Sequence, residues 1–187
     1  MPELPEVETV RRGLERTIVG KTIAAVDIRV PKLFADDRSV IDSVLVGQRI
    51  VGIDRRAKLL LVRLANDWTL AIHLKMTGQI IVLANSNQQS ANGKNKTESA
   101  DSRSLIADRQ GFVGGHPEKA YEQALPHHHT HVIITFTDPD ASAGAGSTVL
   151  YFNDLRKFGW MRLLRSNQNS EFGIQNSGLQ TIKKFLD

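Results

Sequence analysis

The feature that most constrains the fold is a series of short segments rich in β-branched residues, each bounded by turn-forming residues. Such segments are typical of antiparallel strands. The predicted strands span 22–30, 48–55, 59–64, 68–74, 131–136, 148–153 and 160–164. Many short strands between turns, in a chain of 187 residues that is 41% hydrophobic, predict a mainly β protein built as a two-layer β-sandwich.

Two helices are predicted to accompany these strands. The first spans 4–19, and Gly20 suits its end. Its apolar residues recur at helical spacing and are Val7, Val10, Leu14 and Ile18. Residues 39–46 are predicted to form a short helix or turn, and 174–186 a closing amphipathic segment. The first helix would fix the start of the chain against a core.

The stretch 84–126 interrupts this pattern. It is rich in Asn, Ser, Gln, Gly and Lys and has no hydrophobic period. Too few apolar residues are present to offset the entropy of ordering, so most of it is predicted to be a long, mobile insertion between two strands. The candidates for anchoring its ends are Phe112, Val113, Tyr121 and Leu125. A second, turn-rich loop is predicted at 138–146.

Charge and cysteine content narrow the classes of function. The formal net charge is +4, which suits an anionic partner without requiring one. The chain has no cysteine, which excludes disulfides, thiolate catalysis and cysteine zinc sites and fits a reducing compartment. The start of the chain is acidic and lacks the apolar run of a signal peptide, and no window approaches a membrane span. We therefore expect a cytoplasmic protein.

The first residues carry a candidate nucleophile. Removal of Met1 would expose the secondary amine of Pro2, whose ordinary pKa lies much nearer neutrality than that of a lysine. Such an amine forms a permanently charged iminium with a carbonyl carbon, and the neighbouring Glu3 is placed to transfer protons. The alternative is structural: Pro2 and Pro5 would stiffen the terminus, and the nearby acidic residues would favour the helix dipole.

Two motifs in the first half also carry candidate chemistry. The run 55–58, Arg-Arg-Ala-Lys, places three cations at a strand junction, where they would contact anions or only water. In the run 72–78, Met76 is followed by a Thr-Gly turn that would expose its thioether, a flexible group able to fill an irregular gap. A lone methionine more often packs in a core. His73 is either a phosphate contact or a structural residue.

Two motifs in the second half complete the set. Arg156 and Phe158 are two residues apart in a loop at a strand end, so their side chains point the same way. The alternative for Phe158 is packing against Trp160. The histidines at 127–129 and 131 resemble a metal-binding tract, but no acidic or thiolate ligand stands at a matching spacing. We therefore predict no metal site there.

The order of these motifs resembles one family. Residues 1–9 read Met-Pro-Glu-Leu-Pro-Glu-Val-Glu-Thr, and with the following Arg11, Arg12 and Gly13 they resemble the opening of the formamidopyrimidine-DNA glycosylases, bacterial enzymes that excise oxidised purines. The related endonuclease VIII branch carries Gly where Leu4 stands here. The runs 55–58, 73–78, 129–132 and 154–159 are also similar to elements of that family, although Leu155 replaces its usual proline.

The resemblance implies a fold and an activity. The fold would be the family's N-terminal domain, a two-layer antiparallel β-sandwich with an N-terminal helix and a second flanking helix. The activity would be that of a DNA glycosylase and abasic-site lyase that removes formamidopyrimidine and 8-oxoguanine. Pro2 would attack the sugar, Glu3 would protonate the ring oxygen, and Lys58 would assist proton transfer.

The resemblance also implies a partner and its contacts. Double-stranded DNA containing an oxidised purine or an abasic site would bind one copy of the chain. Met76 would fill the emptied stack, Phe158 would wedge beside it, Arg156 would bond the orphaned cytosine, and His129 would bind the DNA backbone. The protein would be cytoplasmic and associated with the nucleoid.

The resemblance covers only the N-terminal half of the family. A helix-two-turn-helix and zinc-finger domain would follow Asp187 in the family, so we expect no metal or cofactor in this chain and weaker, more salt-sensitive DNA binding. Two alternatives stay open. In the first, the chain is a truncated, non-catalytic DNA-binding domain of the same family. In the second, it is an unrelated β-sandwich interaction module whose basic turns are only solvated.

Overall fold

The N-terminal helix buries its apolar stripe against two of the strands. The computed structural model describes residues 3–84, 111–116, 119–121, 123–138 and 147–165. Helix α1 (Leu4–Ile18) buries Val7, Val10, Leu14 and Ile18, as their spacing predicts. Gly20 has φ +86°, the left-handed conformation that ends a helix. The predicted first helix is confirmed.

The other elements in the described residues are one further helix, two short 3-10 turns and nine strands. Helix α2 is Arg38–Leu45, and the 3-10 turns are Pro31–Leu33 and Lys119–Tyr121. The strands are β1 (Thr22–Ile28), β2 (Ile50–Arg56), β3 (Leu59–Leu64), β4 (Trp68–His73), β5 (Gly78–Ala84), β6 (Gly111–Gly115), β7 (Thr130–Thr137), β8 (Thr148–Asp154) and β9 (Trp160–Arg165). Within these described residues, no helix is long and apolar enough to cross a membrane.

The strands form two antiparallel sheets that share one core. The five-stranded sheet has the order β1-β7-β8-β5-β6, and the four-stranded sheet has the order β2-β3-β4-β9. Side chains from both sheets and both helices pack together, among them Leu14, Ile41, Ile72, Phe136 and Phe152. The fold is therefore the two-layer antiparallel sandwich with two helices that the sequence predicts.

Helix α1 lies unusually close to β6. A Cβ atom on Gly13 would stand 2.2 Å from the Phe112 ring, and one on Gly114 would stand 2.4 Å from the same ring. Phe112 itself packs against the core. Since no other residue leaves room for the ring at Gly13, this glycine is required by packing.

Two strands were not predicted. Strand β5 begins at the glycine of the Thr-Gly turn, in a stretch for which no strand is predicted. Strand β6 lies inside the predicted insertion at 84–126, so that insertion is not irregular throughout. Phe112 and the buried Tyr121 fulfil the anchoring role considered for them, whereas Val113 is exposed. Residues 85–110, 117, 118 and 122 of the insertion lie outside the described residues, as do 139–146 and the predicted segment 174–186.

Three connections meet at one end of the sandwich. Residues 74–77 cross from β4 in one sheet to β5 in the other, and residues 155–159 cross from β8 to β9. They are neighbours because Gly78 pairs with Asp154, and His73 pairs with Trp160. The turn between β2 and β3 lies at the same end, since Leu59 pairs with His73.

Candidate functional site

The two crossing loops present apolar side chains to solvent. Met76 is 39% exposed and Phe158 is 54% exposed, values that exclude a core role for either residue. The guanidinium of Arg156 reaches across from the second loop, with Nη1 3.9 Å from Met76 Sδ. The fold thus brings Met76 and Arg156 into contact and places Phe158 on the same loop as Arg156.

A buried carboxylate holds the two crossing loops together. Asp154 has no exposed surface and accepts hydrogen bonds from the Thr77 hydroxyl, from the Arg156 N–H at 3.1 Å and from the Gly159 N–H at 2.6 Å. The Arg156 N–H also lies 3.2 Å from Thr77 Oγ1. A charged acceptor with several donors is a strong buried arrangement. Asp154 therefore fixes the base of both loops.

The turn that carries His129 is attached to the same point. The His129 carbonyl accepts a hydrogen bond from the Asp154 N–H at 3.0 Å, and the His129 N–H donates to His127 Nδ1 at 3.2 Å. Burial lowers the pKa of His129, with His128 and His131 adding to the effect. A neutral imidazole can still donate one hydrogen bond to a phosphate oxygen.

Histidines of the tract at 127–129 and 131 bond to neighbouring protein atoms. In the part of the chain that the structure describes, no group of three His, Asp or Glu residues has a metal-binding arrangement. His131 instead places Nε2 2.7 Å from the Asp154 carbonyl.

His73 is a structural residue. It is 5% exposed, its Nδ1 accepts a hydrogen bond from the Lys75 N–H at 2.9 Å, and its ring lies 5.6 Å from that of Trp160. Burial lowers its pKa to about 4, and the charges of Lys75 and Lys58 add to this. Lys58 lies near the end of β4, because the following Leu59 pairs with His73. Of the two roles that the sequence left open for His73, the structure favours the second.

Lys58 is half-buried in the tight turn between β2 and β3. The preceding Ala57 has φ +48°, a conformation that costs a non-glycine residue of order 1 kcal/mol and that the surroundings must hold. Arg55 does so, because its Nη1 donates to the Ala57 carbonyl at 2.8 Å. The turn is thereby fixed with Lys58 at its end.

Arg55 also connects this turn to helix α1. Its Nε donates to Glu8 Oε2 at 2.9 Å, and Glu8 Oε1 accepts from Arg11 and Arg12, each at 3.0 Å. These bonds, above all the one from Arg55, lower the pKa of Glu8 to about 2. A single guanidinium therefore joins α1 to the turn that carries Lys58.

Glu3 caps the start of helix α1: its N–H donates to Glu6 Oε2 at 3.0 Å, and its carbonyl accepts a hydrogen bond from the Val7 N–H at 3.0 Å. Glu3 is exposed. The backbone of the predicted acid is thus fixed at the helix start. Met1 and Pro2 lie outside the described residues, so the predicted nucleophile stays a prediction.

The pH dependence of stability should reveal the Glu8 bonds. Because folding lowers the pKa of Glu8 from 4.5 to about 2, the folded state binds this proton less tightly than the unfolded state. The stabilisation is present above about pH 4.5 and lost as the pH falls towards about 2. Urea unfolding of the Glu8→Gln variant should therefore differ most from the parent chain above this window and converge with it below.

Arg55→Gln is the matched variant for that measurement. It removes the largest cause of the lowered pKa while leaving Glu8 in place, so part of the pH dependence should disappear. An unchanged profile in both variants would show that the ion pair does not attach α1 to β2.

Sequence reasoning missed two residues of this site. Asp154 is one of them: it is an acidic residue at the end of an apolar strand, and that position is a signal for a buried acceptor. Tyr121 is 3% exposed, and its hydroxyl accepts from the Leu155 N–H at 2.8 Å and donates to the Thr77 carbonyl. No local pattern indicates those partners.

Comparison with known proteins assigns the family. A family model described as the formamidopyrimidine-DNA glycosylase N-terminal domain matches residues 1–161. The chain belongs to the formamidopyrimidine-DNA glycosylase family. The resemblance of its motifs is thereby confirmed, and the alternative of an unrelated β-sandwich module is wrong.

Full-length members of the family are similar over the whole chain. The formamidopyrimidine-DNA glycosylase of Latilactobacillus sakei is 36% identical over 179 residues, which are 95% of this chain and 48% of that protein. The enzyme of Lactiplantibacillus plantarum is 34% identical over 187 residues, 100% of this chain and 52% of that protein. The chain thus spans about half the length of the curated relatives it matches.

Solved structures of the family share the fold. A complex between Lactococcus lactis Fpg and DNA containing an abasic site has a TM-score of 0.60 and 26% identity, and it covers 93% of this chain and 47% of that one. A complex of MutM with DNA containing carbocyclic 8-oxo-G has a TM-score of 0.61 and 26% identity, and it covers 92% and 48%. The sandwich is therefore that of the formamidopyrimidine-DNA glycosylase N-terminal domain.

Proposed function

We propose that this chain is the sandwich half of a DNA glycosylase and abasic-site lyase that removes oxidised purines such as formamidopyrimidine and 8-oxoguanine. The observation that carries the proposal is the pair of exposed apolar side chains, Met76 and Phe158, held beside Arg156 at one end of the sandwich. Exposed hydrophobic tips next to a cation suit insertion into a base stack.

The proposed reaction begins at the N-terminus. After removal of Met1, the Pro2 nitrogen attacks the sugar C1′, and the glycosidic bond breaks with its electron pair going to the departing base, which takes up the proton that the amine loses. The carboxyl group of Glu3 gives a proton to the ring oxygen, the ring opens, and C1′ becomes an iminium carbon. The fixed position of Glu3 at the start of α1 supports this role.

Strand cleavage follows by elimination. The iminium acidifies C2′, which loses a proton, and the electron pair expels the 3′ phosphate. Lys58 is proposed to assist proton transfer, and its place in a turn joined to α1 through Arg55 supports this assignment. The chemistry uses only side chains and the terminal amine of the chain itself.

The proposed partner is double-stranded DNA with an oxidised purine or an abasic site, bound by one copy of the chain. Met76 would fill the gap left by the flipped nucleotide, Phe158 would wedge beside the pair, Arg156 would bond the orphaned cytosine, and His129 would donate to a phosphate. The bacterial sources of the relatives support action in the cytoplasm on nucleoid DNA.

Borohydride reduction in the presence of abasic-site DNA tests the proposal. The expected result is a covalent protein–DNA adduct, with peptide mass spectrometry locating the bond at the Pro2 nitrogen. The matched control carries extra residues before Pro2, so that the nitrogen becomes a tertiary amide and is no longer nucleophilic. That control should bind the same DNA without forming an adduct.

The outcomes separate the remaining alternatives. An adduct at a lysine would contradict the proposed mechanism. Preferential binding to abasic-site DNA without any adduct would identify the chain as a non-catalytic DNA-binding domain of the family. Binding that does not distinguish abasic from undamaged DNA, even at low salt, would contradict the proposed interface.

A further inference from the structure

Tyr121 contacts all three elements that carry the proposed DNA-binding side chains. Its hydroxyl donates to the carbonyl of Thr77, next to Met76, and accepts from the N–H of Leu155, next to Arg156. Its ring stacks on that of His127 at 5.8 Å and 7°, and the ring of His129 stands edge-on at 6.1 Å and 75°.

We propose that Tyr121 is a positioning residue that makes the Met76 loop and the Arg156–Phe158 loop move into DNA as one unit. Asp154 joins the two loops from the side of the core through Thr77 and Arg156. Tyr121 joins them a second time through different atoms, the Thr77 carbonyl and the Leu155 N–H. Two separate links between the same loops remove the freedom of one to rotate against the other.

The consequence for function is specificity. Arg156 can test the orphaned base only if its guanidinium keeps a fixed position relative to the residue that fills the gap, which is Met76. Loss of the hydroxyl leaves the ring in place on His127, so the His129 turn should stay where it is. Tyr121 therefore acts on discrimination between opposite bases through its hydroxyl, and on overall affinity through its ring.

The first test needs no DNA. Amide hydrogen exchange measured by NMR on the full chain compares the parent with Tyr121→Phe. The first reporter is the Gly78 N–H, which bonds the Leu74 carbonyl at the base of the Met76 loop. The others are the N–H groups of Arg156 and of Leu155, which loses its acceptor. Exchange at all three should rise about three- to tenfold, the effect of one lost neutral hydrogen bond. Ladder amides such as that of Val62 should not change.

Tyr151→Phe is the matched control, because Tyr121 and Tyr151 are the two tyrosines of the chain. Tyr151 lies within β8, paired with Ile81 and Ile133 and away from both loops. Its variant should leave the three reporter amides unchanged. If Tyr121→Phe alters Leu155 alone, the two loops are not coupled through the hydroxyl and the proposal is overturned.

The second test rests on the proposed function. It measures the Kd for duplexes that contain a tetrahydrofuran abasic analogue opposite cytosine or opposite adenine. In Tyr121→Phe the preference for cytosine should fall about three- to tenfold, whereas in Tyr121→Leu the affinity for both duplexes should fall as well. Tyr151→Phe should behave as the parent chain does.

The two tests fail in different ways. A parent chain that shows no preference for abasic-site duplexes contradicts the proposed function, and the exchange measurement still decides whether Tyr121 couples the loops. A parent chain with that preference and a Tyr121→Phe variant with an unchanged cytosine-to-adenine ratio overturns the positioning role.

Discussion

Replacing Asp154 by alanine should lower the free energy of unfolding by about 3–5 kcal/mol. The variant leaves the Thr77 hydroxyl and the Gly159 N–H without their acceptor at a buried site, and it removes one of the two acceptors of the Arg156 N–H. Each buried donor left unsatisfied costs about 1–3 kcal/mol. Urea unfolding followed by tryptophan fluorescence measures the loss.

Asp54→Ala is the control, since Asp54 is an exposed aspartate whose carboxylate bonds Arg63 at 2.7 Å. Its loss should cost no more than about 1 kcal/mol because water screens exposed ion pairs. Asp154→Asn gives a second measurement if the alanine variant does not fold. Its amide oxygen can accept on one side only, so an intermediate loss is expected. A loss at Asp154 no larger than that at Asp54 would contradict the role of the buried carboxylate.

Met76→Ala and Phe158→Ala should have the opposite effects to Asp154→Ala, with little change in stability and a large loss of DNA binding. Both side chains are exposed, so each variant should change stability by no more than about 0.5 kcal/mol. Each should nevertheless weaken binding to an abasic-site duplex by about ten- to a hundredfold, because an inserted side chain replaces lost base stacking that contributes about 1–3 kcal/mol. Fluorescence anisotropy with abasic and undamaged duplexes measures the effect.

Val51→Ala is the matched substitution for this pair. Val51 is 43% exposed and apolar, but it lies at the end of β2 farthest from the turn that carries Lys58. Its removal should leave both affinities unchanged. Equal effects of Val51→Ala and Met76→Ala would mean that general surface hydrophobicity, and not the crossing loops, determines binding.

The sequence predicted the strands whose pattern is local. Strands such as β7 alternate or carry runs of β-branched residues, and those signals need no knowledge of the partner strand. Strand β5 is buried on both faces and so lacks alternation. Strand β6 contains three glycines in five residues and forms because small residues are needed there: a Cβ on Gly115 would stand 2.5 Å from the Gly78 carbonyl oxygen.

The residues of the candidate site also divide into those that a local pattern predicts and those that it does not. Met76, Arg156 and Phe158 were predictable because each sits in a turn next to a recognisable motif, and the structure places them at one end of the sandwich. The structure also describes Glu3, Lys58 and His129, and the catalytic or DNA-binding roles of all six residues stay predictions. Tyr121 was not predictable, because its partners lie 34 and 44 positions away in sequence.

The contact between Gly13 and Phe112 also bears on how the protein assembles. Helix α1 precedes the described strands in the chain, but the ring that covers Gly13 belongs to β6, which follows β1 to β5. Until β6 has paired with β5, one side of the helix has no partner. Helix α1, which begins just after the proposed nucleophile, therefore completes its packing only after six of the strands have been synthesised.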